Sequence, residues 1–166
     1  YDCDLAGYAG RLNSDGTVDP GFAADRLGNI AIFDVALQTD GKAVGVGSSS
    51  ESGASRLTVF RLNPDGSLDV GFGGSGIVHV GDPAGPSHHG QSLVLDPDGR
   101  VVVAGLRGEQ LMVVRFLANG SVDAAFGANG VFLGPTLQSG GSPSRLVRTA
   151  TGYRVAAHIP SSGTNG

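Results

Sequence analysis

The sequence has no tryptophan, one cysteine, one methionine and only 16 % charged residues, and each scarcity excludes a class of protein. A single thiol, Cys3, cannot close an internal disulfide, so a disulfide-stapled scaffold is ruled out and the redox compartment stays open. No adjacent base would make Cys3 a nucleophile, and a thiol without chemistry is the simpler reading. Eleven Lys+Arg against fifteen Asp+Glu give a net charge of −4 with no run of like charges. Neither the phosphate backbone of a nucleic acid nor an anionic membrane surface is an expected partner. No apolar stretch approaches the roughly 18 residues of a membrane span, so no membrane insertion is expected. No window of ten residues carries apolar side chains at helical spacing, which nearly excludes helix. The sequence opens at Tyr1 with neither an initiator Met nor a signal peptide. It therefore reads as a processed protein or a piece of a longer one, and processing points to export.

What the sequence has in excess is glycine, 29 of its 166 residues, or more than twice the usual share of about 7 %. There is no G-X-Y period and no long Gly/Ser tract, so the glycines are neither collagen nor linker. With 40 % hydrophobic residues the chain is globular, and its glycines must punctuate short elements.

An internal repeat supplies those elements. Arg11-Leu-Asn-Ser-Asp-Gly-Thr-Val-Asp-Pro-Gly-Phe22 recurs as Arg61-Leu-Asn-Pro-Asp-Gly-Ser-Leu-Asp-Val-Gly-Phe72 and as Arg115-Phe-Leu-Ala-Asn-Gly-Ser-Val-Asp-Ala-Ala-Phe126, with the arginines 50 and 54 residues apart. A second unit, Val35 to Gly47, is matched by Leu93 to Gly105 and by a degenerate copy from Leu146 to His158, where Thr151-Gly152 replaces Asp-Gly. Asp15-Gly16, Asp40-Gly41, Asp65-Gly66, Asp98-Gly99 and Asn119-Gly120 are dipeptides that tolerate positive φ, each flanked by apolar or β-branched residues, which predicts at least five hairpins. Arg56 to Leu62, Leu93 to Leu95, Val101 to Ala104 and Leu111 to Phe116 read as strands.

Two hairpins per repeat give four antiparallel strands, the composition of a β-propeller blade. The expected fold is all-β, with about three blade equivalents belonging to a larger propeller. A β-sandwich or β-solenoid fits the alternation of two hairpin types less well. In this reading 1–30 is a second half-blade, 31–80 and 81–135 are blades, and 136–166 is a first half-blade. About three blades are too few to close a ring, so other blades, from the same longer chain or a second copy, are expected partners.

The recurring polar and aromatic positions suit architecture better than a site, because a ligand site built once would not need its residues in every copy. Arg11, Arg61 and Arg115 enter a tight turn that Asp19, Asp69 and Asp123 leave eight residues later, so each Arg and Asp can pair across the strands. Phe22, Phe72 and Phe126 follow three residues on and can fill the space between blades.

The spaced pattern Arg-Leu-x-x-Asp-Gly-Ser-Leu-Asp-x-x-Phe-Gly, followed by an apolar hairpin around Asp-Gly-Lys, resembles the bacterial delta-60 repeat, a β-propeller repeat of unknown function found in predicted secreted and surface proteins. The resemblance covers Gly10 to about Ala157. It implies propeller blades and an extracellular or cell-surface location, and brings no catalytic residues. Asn119 for Asp and Thr151 for Asp are the departures.

Candidate chemistry is sparse. His88 and His89 in the Gly81 to Gly90 segment, with His79 nearby, could offer imidazoles to a metal, but no Cys, Asp or Glu completes a familiar ligand spacing, and they read as solvated loop histidines. The Asn-x-Asp-Gly turns lack the acidic first and last ligands of a calcium loop. Gly71 to Gly76 lacks the Lys-Ser/Thr of a phosphate loop. No G-x-S-x-G occurs. No catalytic residue, metal or cofactor is assigned. The favoured expectation is a non-enzymatic binding or structural scaffold of an exported bacterial β-propeller protein, offering loops such as Ser48 to Ser55 and Gly81 to Gly90 to a protein or carbohydrate. The alternative is a share of a propeller hydrolase or lyase whose active site is completed by blades outside this chain.

Overall fold

In a computed structural model, the structure describes residues 7–22, 27–50, 54–138 and 140–160, and Cys3 and part of the 48–55 loop lie outside the described residues. Ten strands occur among the described residues, with no helix. One sheet runs in the order β1 (Ile30–Leu37), β2 (Ala43–Ser49), β3 (Arg56–Leu62), β4 (Ile77–Val80), every pair antiparallel. A second repeats this as β5 (His88–Leu95), β6 (Val101–Arg107), β7 (Gln110–Phe116) and β8 (Val131–Thr136). A hairpin of β9 (Ser142–Thr149) and β10 (Gly152–His158) follows. The innermost strands β1, β5 and β9 touch in series, so the sheets fan side by side without closing into a ring.

The Asp-Gly turns form for a local reason. Asp65 Oδ1 accepts from both the backbone N–H (3.0 Å) and the hydroxyl (2.7 Å) of Ser67, and Asp15 does the same with Thr17. Asn119 Oδ1 accepts from the Ser121 N–H and hydroxyl at 3.0 and 2.7 Å, which is why Asn can stand where the other copies have Asp. These turns differ from the hairpins expected of them. After Asp15-Gly16, Asp65-Gly66 and Asn119-Gly120 the chain makes single bridges only, Leu12 to Val18, Leu62 to Leu68 and Phe116 to Val122. It then turns again before the outer strands β4 and β8 return to pair with β3 and β7. The aspartate that ends each turn accepts the N–H two residues on and reverses the chain, so the segment after it cannot continue as a strand.

Three apolar layers hold the sheets together. Val44, Val46, Leu57 and Val59 of the first sheet face Leu93, Val101, Val103, Met112, Val114 and Phe116 of the second across Phe72. Leu27, Ile30, Phe60 and Leu62 meet Ala9 and Phe22 on the first sheet's other side, and Val102, Ala104, Val113 and Leu146 join the second sheet to the last hairpin. Strands buried on both sides read as continuous apolar runs, as β6 does. Equivalent bulges kink β1 between Ile32 and Asp34 and β5 between Gly90 and Ser92. Opposite them only glycine fits, since a Cβ on Gly47 would lie 1.9 Å from the Ala31 carbonyl oxygen and one on Gly105 2.0 Å from that of His89.

Candidate functional site

The recurring Arg, Asp and Phe come together three times. Arg11 Nε donates to Asp19 at 2.8 Å, Arg61 Nε to Asp69 at 2.6 Å and Arg115 Nε to Asp123 at 2.8 Å. Each guanidinium also lies over a ring, 5.4 Å from Phe22, 4.8 Å from Phe72 and 4.8 Å from Phe126. This stacking joins Arg and Phe through a planar cation, a contact that the spacing alone did not reveal. A further bond crosses to the next repeat: Arg11 Nη1 donates to the Pro64 carbonyl and Arg61 Nη1 to the Ala118 carbonyl, at 2.7 and 2.6 Å. Pro64 and Ala118 occupy the same repeat position, so Arg11 and Arg61 each clamp their own turn and grip the next one.

The aspartates receive more than one cation. Lys42 Nζ donates to Asp69 at 2.9 Å, and Arg100 Nε lies 3.4 Å from Asp123. Lys42 and Arg100 follow the first Asp-Gly turn of their sheets, so each aspartate ties both turns of one sheet together. Bonding to Lys42 first, then to the Gly71 N–H and Arg61, holds the Asp69 carboxyl below the usual aspartate range despite its burial. In the last hairpin Tyr153 takes the place of that cation. Its hydroxyl donates to Asp96 at 2.5 Å, its ring meets Phe126 edge-on at 6.1 Å, and burial, then the Asp96 carboxylate, push its pKa up.

A second joint runs along the innermost strands. Asp34 Oδ2 accepts from the Leu93 N–H at 2.8 Å and the Ser92 hydroxyl at 3.1 Å, and Ser92 Oγ in turn accepts from the Leu146 N–H at 3.1 Å. Asp34, Ser92 and Arg145 are equivalent positions, so the series passes from an acid through a hydroxyl to an exposed cation. Sequence reading missed this joint because the three residue types share no chemistry; only the shared bulge aligns them.

The histidines depart from expectation. His88 and His89 are the first residues of β5, not solvated loop residues; His88 is 7 % exposed and pairs across the strands with Arg107. As consecutive strand residues they point to opposite faces and cannot converge on one ion. Burial lowers the pKa of both. Among the described residues no group of three or more His, Cys, Asp or Glu is placed to hold a metal. His79 lies elsewhere, its Nδ1 2.9 Å from Thr58 Oγ1 and 3.3 Å from Ser49 Oγ. The two hydroxyls are interior, Thr58 fully buried and Ser49 nearly so, while His79 itself is exposed, so the group offers no exposed hydroxyl nucleophile.

Two of the loops singled out by composition do meet. The Ala54 N–H donates to the Pro83 carbonyl at 3.0 Å, the His88 N–H to Ser55 at 2.6 Å, and the Gly108 N–H to Ser87 at 2.7 Å. Beside them lies a cleft of 480 Å³ with Asp82, His88 and Arg107 at its polar side and Met112, Val131 and Leu133 at its apolar side. The clefts beside the recurring clusters are lined by residues already engaged, such as Asp96, Arg148 and Tyr153.

Comparison with protein-family models gives the decisive finding. Residues 7–22, 38–72 and 97–126 match a domain of unknown function, DUF5122, described as a β-propeller. The chain carries the repeats of this β-propeller family. No curated protein matches the sequence. The matched segments of the DUF5122 repeats contain all three Arg, Asp and Phe clusters together with the Lys42 and Arg100 turns. The matched segments thus include the arginines that reach from one repeat to the next, Arg11 to Pro64 and Arg61 to Ala118. Sheet by sheet, the antiparallel four-stranded units are propeller blades, not closed into a ring.

Proposed function

We propose that this chain is a non-enzymatic binding or structural scaffold of an exported bacterial β-propeller protein, presenting inter-strand loops to a protein or carbohydrate partner. The observation that carries this reading is the consumption of the recurring charged residues by one another. Arg61 is satisfied by Asp69, Phe72 and the Ala118 carbonyl, and Asp69 by Arg61, Lys42 and the Gly71 N–H, so the repeated polar groups act as joints. Residues that vary between repeats gather instead in the 54–55, 81–87 and 108–109 segments, which are bonded to one another at one end of the sheets. The 480 Å³ cleft there combines Arg107 and Asp82 with apolar walls, a mixture that suits an extended polar ligand such as a peptide or sugar chain. An extracellular or cell-surface setting accords with the resemblance to delta-60 repeats.

The test is a binding survey of the purified chain against cell-wall glycans and secreted proteins, alongside turnover assays with ester, peptide and glycoside substrates. Binding that is lost on replacing Arg107 with Ala, without turnover, is the expected result. Turnover of any of these substrates with no partner bound would overturn the reading.

A further inference from the structure

We infer that the 480 Å³ cleft between the two four-stranded sheets takes a carboxylate-bearing peptide, with its carboxylate on Arg107 and an apolar side chain against Met112, Val131 and Leu133. The inference rests on the loop-binding reading above and names the ligand class of that site.

The cleft is built once. By strand register, Arg107, Met112 and Leu133 of the second sheet stand where the first has Ser49, Thr58 and His79. Gly47 pairs with Thr58 and Thr58 with His79, as Gly105 pairs with Met112 and Met112 with Leu133; Ser49 and Arg107 each lie two residues beyond that glycine. In the first sheet the three side chains close on one another, Thr58 Oγ1 lying 2.8 Å from Ser49 Oγ and 2.9 Å from His79 Nδ1. A guanidinium, a thioether and an isobutyl group share no such bonds, and in the second sheet a cleft opens in their place. The recurring joints need their residues in every repeat, whereas these three positions change character between the two sheets.

His88 marks the same spot. It stands where the first sheet has the buried Ile30, since Ile30 pairs with Ser49 and His88 with Arg107. The ring is 7 % exposed and lines the cleft, and its Nδ1 has no hydrogen-bond partner among the described residues. Buried polar atoms are satisfied as a rule, so a lone one set in the place of an isoleucine is accounted for by a partner that a ligand brings. Gly81 leaves the room for it: its φ of 117° favours glycine, and a Cβ there would lie 2.6 Å from that nitrogen. Burial lowers the pKa of the ring, so at neutral pH an uncharged imidazole meets the amide groups of a peptide.

Charge and polarity select the ligand. Arg61 and Arg115 each hold an aspartate, but Arg107 is exposed and makes no hydrogen bond or ion pair among the described residues. Its guanidinium is open to a carboxylate, which it can take with two parallel N–H donors. Asp82 accepts the Ala84 N–H at 2.9 Å through Oδ1, and its second oxygen is left for a backbone N–H of the ligand. Opposite them Met112, Val131 and Leu133 form an aliphatic wall. A sugar ring pressed on that wall would strip water from its hydroxyls without replacing it. A leucine or valine side chain gains by the same burial, and the flexible methionine adapts to its shape.

Fluorescence polarisation of the purified chain reads this directly, with two fluorescein-labelled peptides, Gly-Gly-Ala-Leu as the free acid and Gly-Gly-Leu-Asp as the C-terminal amide. Binding of the first assigns the carboxylate to a chain terminus, binding of the second to a side chain, and at least one is expected to bind. Gly-Gly-Ala-Leu amide, which has no carboxylate, should bind about tenfold more weakly or worse, and serine in place of leucine should cost about tenfold as well. Arg107→Gln and Leu133→Asp, both at exposed positions, should each weaken binding by about tenfold or more with unchanged circular dichroism. Arg154→Gln, exposed on β10, should leave it unchanged. A chain that binds neither peptide, that binds them regardless of Arg107→Gln and Leu133→Asp, or that takes chitotetraose through Arg107 instead would overturn the inference. The loop-binding reading survives a glycan partner and falls to turnover without one, so the two fail separately.

Discussion

The Arg61–Asp69–Phe72 cluster lies between two complete blades, and the Arg11–Asp19–Phe22 cluster at the open side of the first; they differ in surroundings far more than in residues. Side-chain exposure is 9 % and 10 % for Arg61 and Asp69 but 45 % and 22 % for Arg11 and Asp19. Phe72 is fully buried and Phe22 half-buried. The carboxyl of Asp69 is lowered chiefly by Lys42, that of Asp19 chiefly by the Gly21 N–H, with Arg11 second. The repeat therefore fixes which groups meet, while the neighbouring blade fixes how much the meeting stabilises, because an ion pair in water contributes little and a buried one is costly to break.

Substitutions made in pairs break this comparison apart. Phe72→Ala should cost about 4 kcal/mol, the range for a fully buried ring, read as a lower denaturation midpoint at unchanged urea m-value. Asp69→Ala should follow at about 3 kcal/mol, since it leaves Arg61 and Lys42 facing each other beside the core. Phe22→Ala should cost about 1 kcal/mol, in keeping with the smaller area it removes from water. Acid titration sharpens the contrast. A carboxyl whose folded pKa lies below its unfolded value of about 3.9 adds stability that is complete above that pH and is lost as the pH falls through the folded value. Urea midpoints measured from pH 5 down to pH 2.5 should fall, and Asp69→Asn should flatten that fall more than Asp19→Asn does. The smallest effect is expected for Asp19→Ala, a midpoint indistinguishable from the parent chain in the same urea experiment. Equal losses for the Asp69 and Asp19 variants would show that the neighbouring blade adds nothing.

Much of the fold was readable because turn chemistry is local. Asp15, Asp65 and Asn119 fix their turns with partners two residues away, so the dipeptides marked them, and the Arg to Asp spacing of eight residues placed the pairs. The outer strands were not readable. β4 is only Ile77–Val80 and follows a glycine-rich reversal, so its place depends on pairing with β3 across the sheet. The His88 environment was missed for a related reason: composition marks 81–90 as loop, whereas pairing with Arg107 draws its last three residues into β5. The contacts between blades, from Arg61 to Ala118 and from Asp34 to Leu93, span 57 and 59 residues and involve backbone atoms, which carry no trace in residue identity.

Each joint is directional, a side chain of one repeat reaching a backbone group of the next, as from Arg11 to Pro64 and from Arg61 to Ala118. Because the acceptor is a carbonyl, any residue can supply it, and Pro64 and Ala118 do so equally well. A repeat copied by gene duplication therefore arrives with its own donor and with an acceptor that mutation cannot remove. Such a lineage can lengthen by whole blades while the side chains around each turn drift, since a new unit is compatible with its neighbours from the moment it is inserted.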